Sequence, residues 1–187
     1  MNVHDTSLPE VKLIEPAVFA DARGFFVETF RVERYAGLGI DAPFIQDNVS
    51  QSGFGTLRGL HLQHPRAQGK LVYVIEGSVL DVAVDVRVGS PTFGQHVAVT
   101  LEGPVRQQLW IPAGFAHGFC VTSERAIFGY KCTDVYSPDT EITLAWNDPA
   151  IGIRWPVETP LLSRRDESAP SLDALRTAGR LPNYEHR

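Results

Sequence analysis

A chain of 187 residues, 43% of them hydrophobic and 21% charged, is close to one ordinary domain and can bury a core without disulfides or structural metals. The formal net charge of −5 excludes a global attraction for nucleic acid, so an anionic ligand has to be held by a local cluster of Arg, Lys and His. The start, MNVHDTSLPEV, lacks a basic stretch followed by an apolar one, and no uncharged apolar run approaches membrane-spanning length, which predicts a soluble cytoplasmic protein.

In chain order, the N-terminal stretch His4 to Leu8 is expected to fray, and Phe30 to Ala36 reads as a short helix stopped by Gly37. The middle alternates short β-rich runs with turn signals: Lys70 to Glu76, Ser78 to Val86, His96 to Leu101, Gln108 to Ile111, Phe119 to Thr122, and Ile127 to Thr133. Gly77, Gly89-Ser90-Pro91 and Pro112-Ala113-Gly114 punctuate these runs at the spacing of a sandwich or barrel. A second short helix is expected over Leu172 to Ala178, with Ser171 as its N-cap and Gly179 just past its end, before a C-terminal stretch Tyr184 to Arg187 that frays. Cys120 and Cys132 sit inside apolar runs and read as free buried thiols. No repeat or linker divides the chain, so residues 1–187 form a single mainly β domain with short accessory helices.

The stretch Arg58-Gly59-Leu60-His61-Leu62-Gln63, followed by Lys70, gathers Arg, His and Lys within a few residues. Downstream, Pro112-Ala113-Gly114-Phe115-Ala116-His117 has the Pro-x-Gly-x-x-His pattern that metal-binding cupins use for one ligand. The upstream half of that metal site fails, because position 63 is Gln and the cationic Lys70 stands near where an acidic ligand is expected. No metal is therefore expected.

Over nearly its whole length the sequence resembles the dTDP-4-dehydrorhamnose 3,5-epimerase family. The resemblance is carried, in order, by Asp21-Ala22-Arg23-Gly24-Phe25-Phe26-Val27-Glu28, Gln46-Asp47-Asn48, Arg58-Gly59-Leu60-His61, Gly89-Ser90-Pro91-Thr92-Phe93-Gly94, Ala116-His117-Gly118-Phe119, Tyr130-Lys131-Cys132-Thr133-Asp134-Val135-Tyr136 and Leu162-Ser163-Arg164-Arg165-Asp166. It implies a cupin-type jelly-roll β-sandwich or barrel that inverts carbons beside the ketone of a dTDP-4-keto-6-deoxyhexose. Such chemistry needs a positioned base, stabilisation of the enolate oxygen and an acid on the opposite face, and no redox cofactor. The residues suit those tasks: His61 as base, Asp166 fixing its tautomer, Lys70 at the oxyanion and Tyr130 as proton donor.

The resemblance implies the same roles, and places substrate contacts at Arg23, Phe26, Glu28, Gln46, Asp47, Asn48, Arg58, His117, Glu141 and Arg165, with Phe26 available to stack on the base. Position 165 is commonly Lys in the family; Arg keeps the charge but changes the geometry of a pyrophosphate contact. The resemblance further implies a homodimer in which an exposed N-terminal strand, read over Asp21 to Phe30, crosses to the partner's sheet. Tyr136 reads as lying in the same strand as Tyr130 and able to share the donor role, and Asp166 has an alternative reading as a turn or cap. His4, His64, His96 and His186, together with Tyr73, Trp110, Trp146 and Trp155, read as surface or packing residues. The competing classes are a mono-epimerase acting at carbon-3 or carbon-5 alone, a metal-dependent cupin enzyme, which Gln63 and Lys70 argue against, and a non-catalytic sugar-binding cupin, from which acid or base would normally be missing.

Overall fold

The computed structural model describes residues 1–185. His186 and Arg187, part of the end expected to fray, lie outside the described residues. The strands are β1 (Asn2–Asp5), β2 (Lys12–Glu15), β3 (Val18–Asp21), β4 (Gly24–Val27), β5 (Gln46–Gly53), β6 (Leu57–Gln63), β7 (Lys70–Glu76), β8 (Ser78–Asp85), β9 (His96–Glu102), β10 (Gln108–Ile111), β11 (Phe115–Val121), β12 (Arg125–Cys132) and β13 (Glu141–Thr143). Three short helices accompany them, α1 (Val32–Ala36), α2 (Arg164–Glu167) and α3 (Leu172–Thr177). A six-stranded sheet in the order β1-β2-β10-β7-β12-β5 packs on a five-stranded sheet in the order β13-β6-β11-β8-β9, and β3 and β4 form a separate hairpin. This is the cupin-type β-sandwich.

Period-two alternation sorts the side chains into layers. Between the sheets, Val72 and Val74 of β7 and Phe128 of β12 meet Val79 and Ala83 of β8 and Phe115 and Phe119 of β11. The alternate residues face outward: Val82, Val84 and Ala116, with Leu60 and Leu62 of β6, pack beneath Leu172 and Leu175 of α3. On the far side of the larger sheet, Ile14, Leu71 and Trp110 are covered by Tyr35 of α1, with Phe30 and Phe44 packed alongside.

Several sequence expectations are corrected. The N-terminal stretch does not fray, because β1 pairs with β2 from Asn2 to Asp5 and Leu8 is buried in the core. Tyr184 is also held, its amide donating to the Val88 carbonyl at 2.9 Å. Helix α1 begins two residues later than expected, since Phe30 is drawn into an aromatic cluster with Tyr35 and Phe44. The expected strand at Phe119 starts at Phe115, so His117 lies within β11 rather than in the turn before it. The N-terminal strand read over Asp21 to Phe30 is the hairpin β3–β4, closed at Asp21 and Gly24 and ending at Val27. Tyr136 is not in the strand of Tyr130: β12 ends at Cys132, and Asp134 to Ser137 form a loop.

A buried ion pair ties three distant segments together. Asp85, fully buried, accepts from the Arg87 amide, Nε and Nη2 at 3.0, 2.9 and 2.8 Å and from the Ser90 and Thr92 hydroxyls at 2.6 and 2.7 Å. Arg87 in turn grips Glu10 and lies over the rings of Phe115 and Tyr184. Its stem packs so close to Gly114 (φ +92°) that a Cβ there would meet Arg87 Cδ at 2.8 Å, which is why the turn into β11 is glycine. Burial alone would raise the Asp85 pKa, but the hydrogen bonds from Arg87, Ser90 and Thr92 outweigh it and hold the carboxyl below its ordinary value. The unfolded chain therefore takes up the proton first as pH falls. The contribution of Asp85 is full above about pH 5 and is lost as pH drops through the ordinary carboxylate range towards the lower native value. Asp85→Ala, which strands Arg87, is expected to cost about 3–5 kcal/mol in urea unfolding at neutral pH and to flatten the acid limb of stability against pH.

Candidate active site

Beyond the Phe119–Phe128 stack the inner faces turn polar and bound a cavity of about 310 Å³. The inward series on β12, Ala126 and Phe128 in the core, continues two residues at a time to Tyr130 and Cys132 in the cavity. Strand pairing sets Tyr130 between Asn48 and Val72, and Cys132 between Gln46 and Lys70, so that Lys70, Tyr130, Gln46 and Asn48 all project from the larger sheet. His61 and Glu141 line the cavity from β6 and β13 of the facing sheet.

His61 is oriented from behind. Its Nε2 lies 2.6 Å from Asp166 Oδ1, and the His61 side chain remains 29% exposed while that of Asp166 is 4% exposed. A carboxylate accepts, so Nε2 carries the proton and Nδ1 keeps the lone pair of the neutral ring. The other Asp166 oxygen accepts from the Ser163 hydroxyl at 2.9 Å, and the same hydroxyl caps α2 by accepting from the Asp166 amide at 3.1 Å. Burial pushes the Asp166 pKa up, but His61, Ser163 and the Gly59 amide more than reverse this and keep it ionised. Gly59 (φ +127°) passes so near β11 that a Cβ would meet Gly118 Cα at 2.5 Å. The turn-or-cap reading of Asp166 is thus half right: the residue sits in a capped helical turn, and its side chain serves the histidine.

His117 stands opposite His61 in the β11–β6 pairing and has a carboxylate of its own. Its Nε2 contacts both oxygens of the fully buried Asp81 at 3.1 and 3.0 Å. The sequence reading missed Asp81; the available signal was an acidic residue in the apolar run Val79-Leu80-Asp81-Val82, on the inward phase of β8.

Two further groups have environments suited to proton chemistry. Burial raises the Tyr130 pKa, with Cys132, Glu141 and Tyr136 adding to the effect and Arg58 opposing it, so the phenol holds its proton at neutral pH. Lys70 makes no hydrogen bond or ion pair among the described residues; burial lowers its pKa, against Cys132, Glu141 and Asp81.

The remaining expected contacts divide. Gln46, Asn48 and Glu141 line the cavity, and Arg165 reaches Glu141, which also accepts from the Tyr136 hydroxyl at 2.7 Å. Asp47 pairs with Lys131 on the outer face of the sheet, and Arg58 donates to Ser52 at 3.1 Å. Arg23, Phe26 and Glu28 lie away from the cavity: Arg23 pairs with Asp21, Glu28 with Arg34, and Phe26 is 69% exposed. Arg23 and Phe26 border a second concavity on the hairpin itself. Among the described residues, no group of three or more His, Cys, Asp or Glu is placed to hold a metal ion.

If the tautomer of His61 is set by Asp166, Asp166→Asn should lower kcat by on the order of 10²–10⁴ while leaving KM close to the wild-type value, because the amide can donate towards Nε2 and favour the wrong tautomer. Steady-state kinetics checks this.

The family model described as dTDP-4-dehydrorhamnose 3,5-epimerase matches residues 5–174. The chain is 53% identical to a dTDP-4-dehydrorhamnose 3,5-epimerase of Neisseria gonorrhoeae over all of its own length, and spans 58% of that longer protein. It is 52% identical to the enzyme of that name from Shigella flexneri, over 89% of this chain and 93% of the relative. A crystal structure of a dTDP-6-deoxy-D-glucose-3,5-epimerase from Legionella pneumophila, in complex with dTDP-4-keto-L-rhamnose, superposes with a TM-score of 0.96 at 51% identity over 99% of both chains. A sandwich carrying an Asp-held histidine on one sheet and a protonated tyrosine on the other, and matched this closely along its length, belongs to the dTDP-4-dehydrorhamnose 3,5-epimerase family.

Proposed function

We propose that the chain inverts carbon-3 and carbon-5 of dTDP-4-keto-6-deoxy-D-glucose to give dTDP-4-keto-L-rhamnose in the cytoplasm. The observation that carries this reading is the division of labour across the cavity, with His61 on one sheet, backed by Asp166 of α2, and Tyr130 and Lys70 on the other. A hydrogen on carbon beside a ketone is weakly acidic. Nδ1 of His61 takes it, Asp166 stabilises the imidazolium, and the Lys70 ammonium compensates the charge that develops on the ketone oxygen. Tyr130 then returns a proton from the opposite side of the ring, which inverts the carbon, and exchange with solvent resets both groups. Repetition at the second carbon completes the reaction. Oxidation state does not change, so no redox cofactor enters.

In deuterated water each inverted carbon should acquire one deuteron, so the number incorporated counts the centres that react; exchange at neither carbon would sink the epimerase reading, and exchange at one would indicate the mono-epimerase. His61→Asn should abolish both exchange and inversion, losing on the order of 10²–10⁴ in rate. Tyr130→Phe should depress inversion more than exchange, because His61 still returns a solvent proton to the original face. Near-normal exchange in His61→Asn would show that another group is the base.

We further propose a homodimer built by exchange of the β3–β4 hairpin. The hairpin exposes Phe19 (64%), Phe25 (54%) and Phe26 (69%), while β5 is an edge strand exposing Val49 (68%). An unpaired edge and a largely exposed aromatic ribbon in one chain favour pairing between two copies. Such pairing would carry Arg23, Phe26 and Glu28 to the partner's nucleotide site. A sedimentation experiment finding a fully active monomer would refute the exchange.

A further inference from the structure

Tyr136 presents an unusual combination: its side chain lines the cavity, yet the residue is 52% exposed and sits in a loop, where burial cannot hold it. Its backbone is held instead. Gln63, at the position where a metal-binding cupin would carry a ligand, is only 3% exposed, and its amide is spent on main-chain groups. The Gln63 Nε2 donates to the Val135 carbonyl at 3.3 Å and to the Arg66 carbonyl at 3.0 Å, while its Oε1 accepts from the Ser137 amide at 2.8 Å. Between those two contacts the Tyr136 amide donates to Gln46 Oε1 at 2.7 Å. Both peptide units flanking Tyr136 are therefore fixed, which fixes its φ and ψ and so the direction of its Cα–Cβ bond. The far end is fixed as well, by the hydrogen bond from the Tyr136 hydroxyl to Glu141, which Arg165 anchors.

We infer that Gln63 is a positioning residue: it clamps the Asp134–Ser137 loop so that Tyr136 stands as a preformed wall of the cavity against which the substrate is bound. The inference rests on the epimerase reading for its substrate, but the clamp itself is a property of the loop. A wall made rigid before binding spares the ordering cost that a mobile loop would incur on each encounter. Gln63 borders the cavity, but its amide is spent on main-chain atoms of the loop, so the clamp is expected to act on binding rather than on the chemical step.

Gln63→Met conserves length and removes all three hydrogen bonds. Two measurements on the full-length protein test the inference. In amide hydrogen exchange, Tyr136 and Ser137 should be protected in the wild type and should exchange at least about tenfold faster in Gln63→Met; unchanged protection would overturn the clamp. In steady-state kinetics with dTDP-4-keto-6-deoxy-D-glucose, Gln63→Met should raise KM by about tenfold with kcat within about threefold. The Gln63→Met/Tyr136→Ala double variant should be no worse than Tyr136→Ala alone, because both changes remove the same wall. Additive losses, or a fall in kcat at unchanged KM, would show that Gln63 acts by another route. Should Gln63→Met fail to fold, Gln63→Asn, polar but one methylene short of the loop, takes its place in both measurements with the same expected outcomes. A wild-type protein that turns nothing over would count against the epimerase reading, while the exchange experiment would still decide the clamp.

Discussion

Two groups on facing sheets can act on one molecule only if the distance between the sheets is fixed, and in this chain that distance is set by the stack of Phe119 on Phe128. The rings lie 4.2 Å apart and within 18° of parallel, one from each sheet. Phe128 is also 6.2 Å from the ring of His117 and 6.0 Å from that of Tyr130, so the last aromatic layer of the core is the floor of the site. Close packing there has little slack, and an interior at that density passes any displacement on to its neighbours. The cavity is the continuation of the core by polar residues on the same strands, and it inherits the core's rigidity.

On that floor stand two histidines, each with its own buried carboxylate. The pairs differ in how far they are withdrawn from solvent. His117 is 7% exposed and meets both oxygens of Asp81, whereas His61 is more open and shares one oxygen of Asp166, whose other oxygen is taken by Ser163. An open imidazole with a single fixed tautomer suits repeated gain and loss of a proton. A closed one held on both carboxylate oxygens suits a fixed donor.

Much of this could be read from the chain. The bounds of β7 and β10 follow from short runs of β-forming apolar residues, buried on both faces and closed by Gly69 and Gly77 around β7 and by Pro112 after β10. Alternation fails for β5, whose sequence QDNVSQSG turns polar side chains to the cavity on one face and leaves the other largely exposed. It misleads after Cys132, where Thr133, Asp134, Val135 and Tyr136 have strand-like character but Thr133 and Asp134 are spent on Gly69 and Arg66. His61, Lys70 and Tyr130 were legible because their motifs fix residue type and spacing together. Asp81 was not: a carboxylate hidden in an apolar strand looks like an exception until the strand opposite is known. Gln63 was noticed for the ligand it is not. Its actual partners are main-chain atoms up to 74 residues away, which no local pattern announces.

The link between His61 and Asp166 spans 105 residues of sequence. Contacts of such separation close late, after the strands between them have paired, and an antiparallel sandwich is in any case slow to assemble. During synthesis, His61 leaves the ribosome more than a hundred residues ahead of the carboxylate that orients it, and Lys70 and Tyr130 also precede it. A nascent chain can thus build both sheets and the cavity between them while His61 still lacks its hydrogen-bond partner. Helix α2 follows every residue that lines the cavity, so its docking, rather than the pairing of the two sheets, is the event that fixes the tautomer of the histidine.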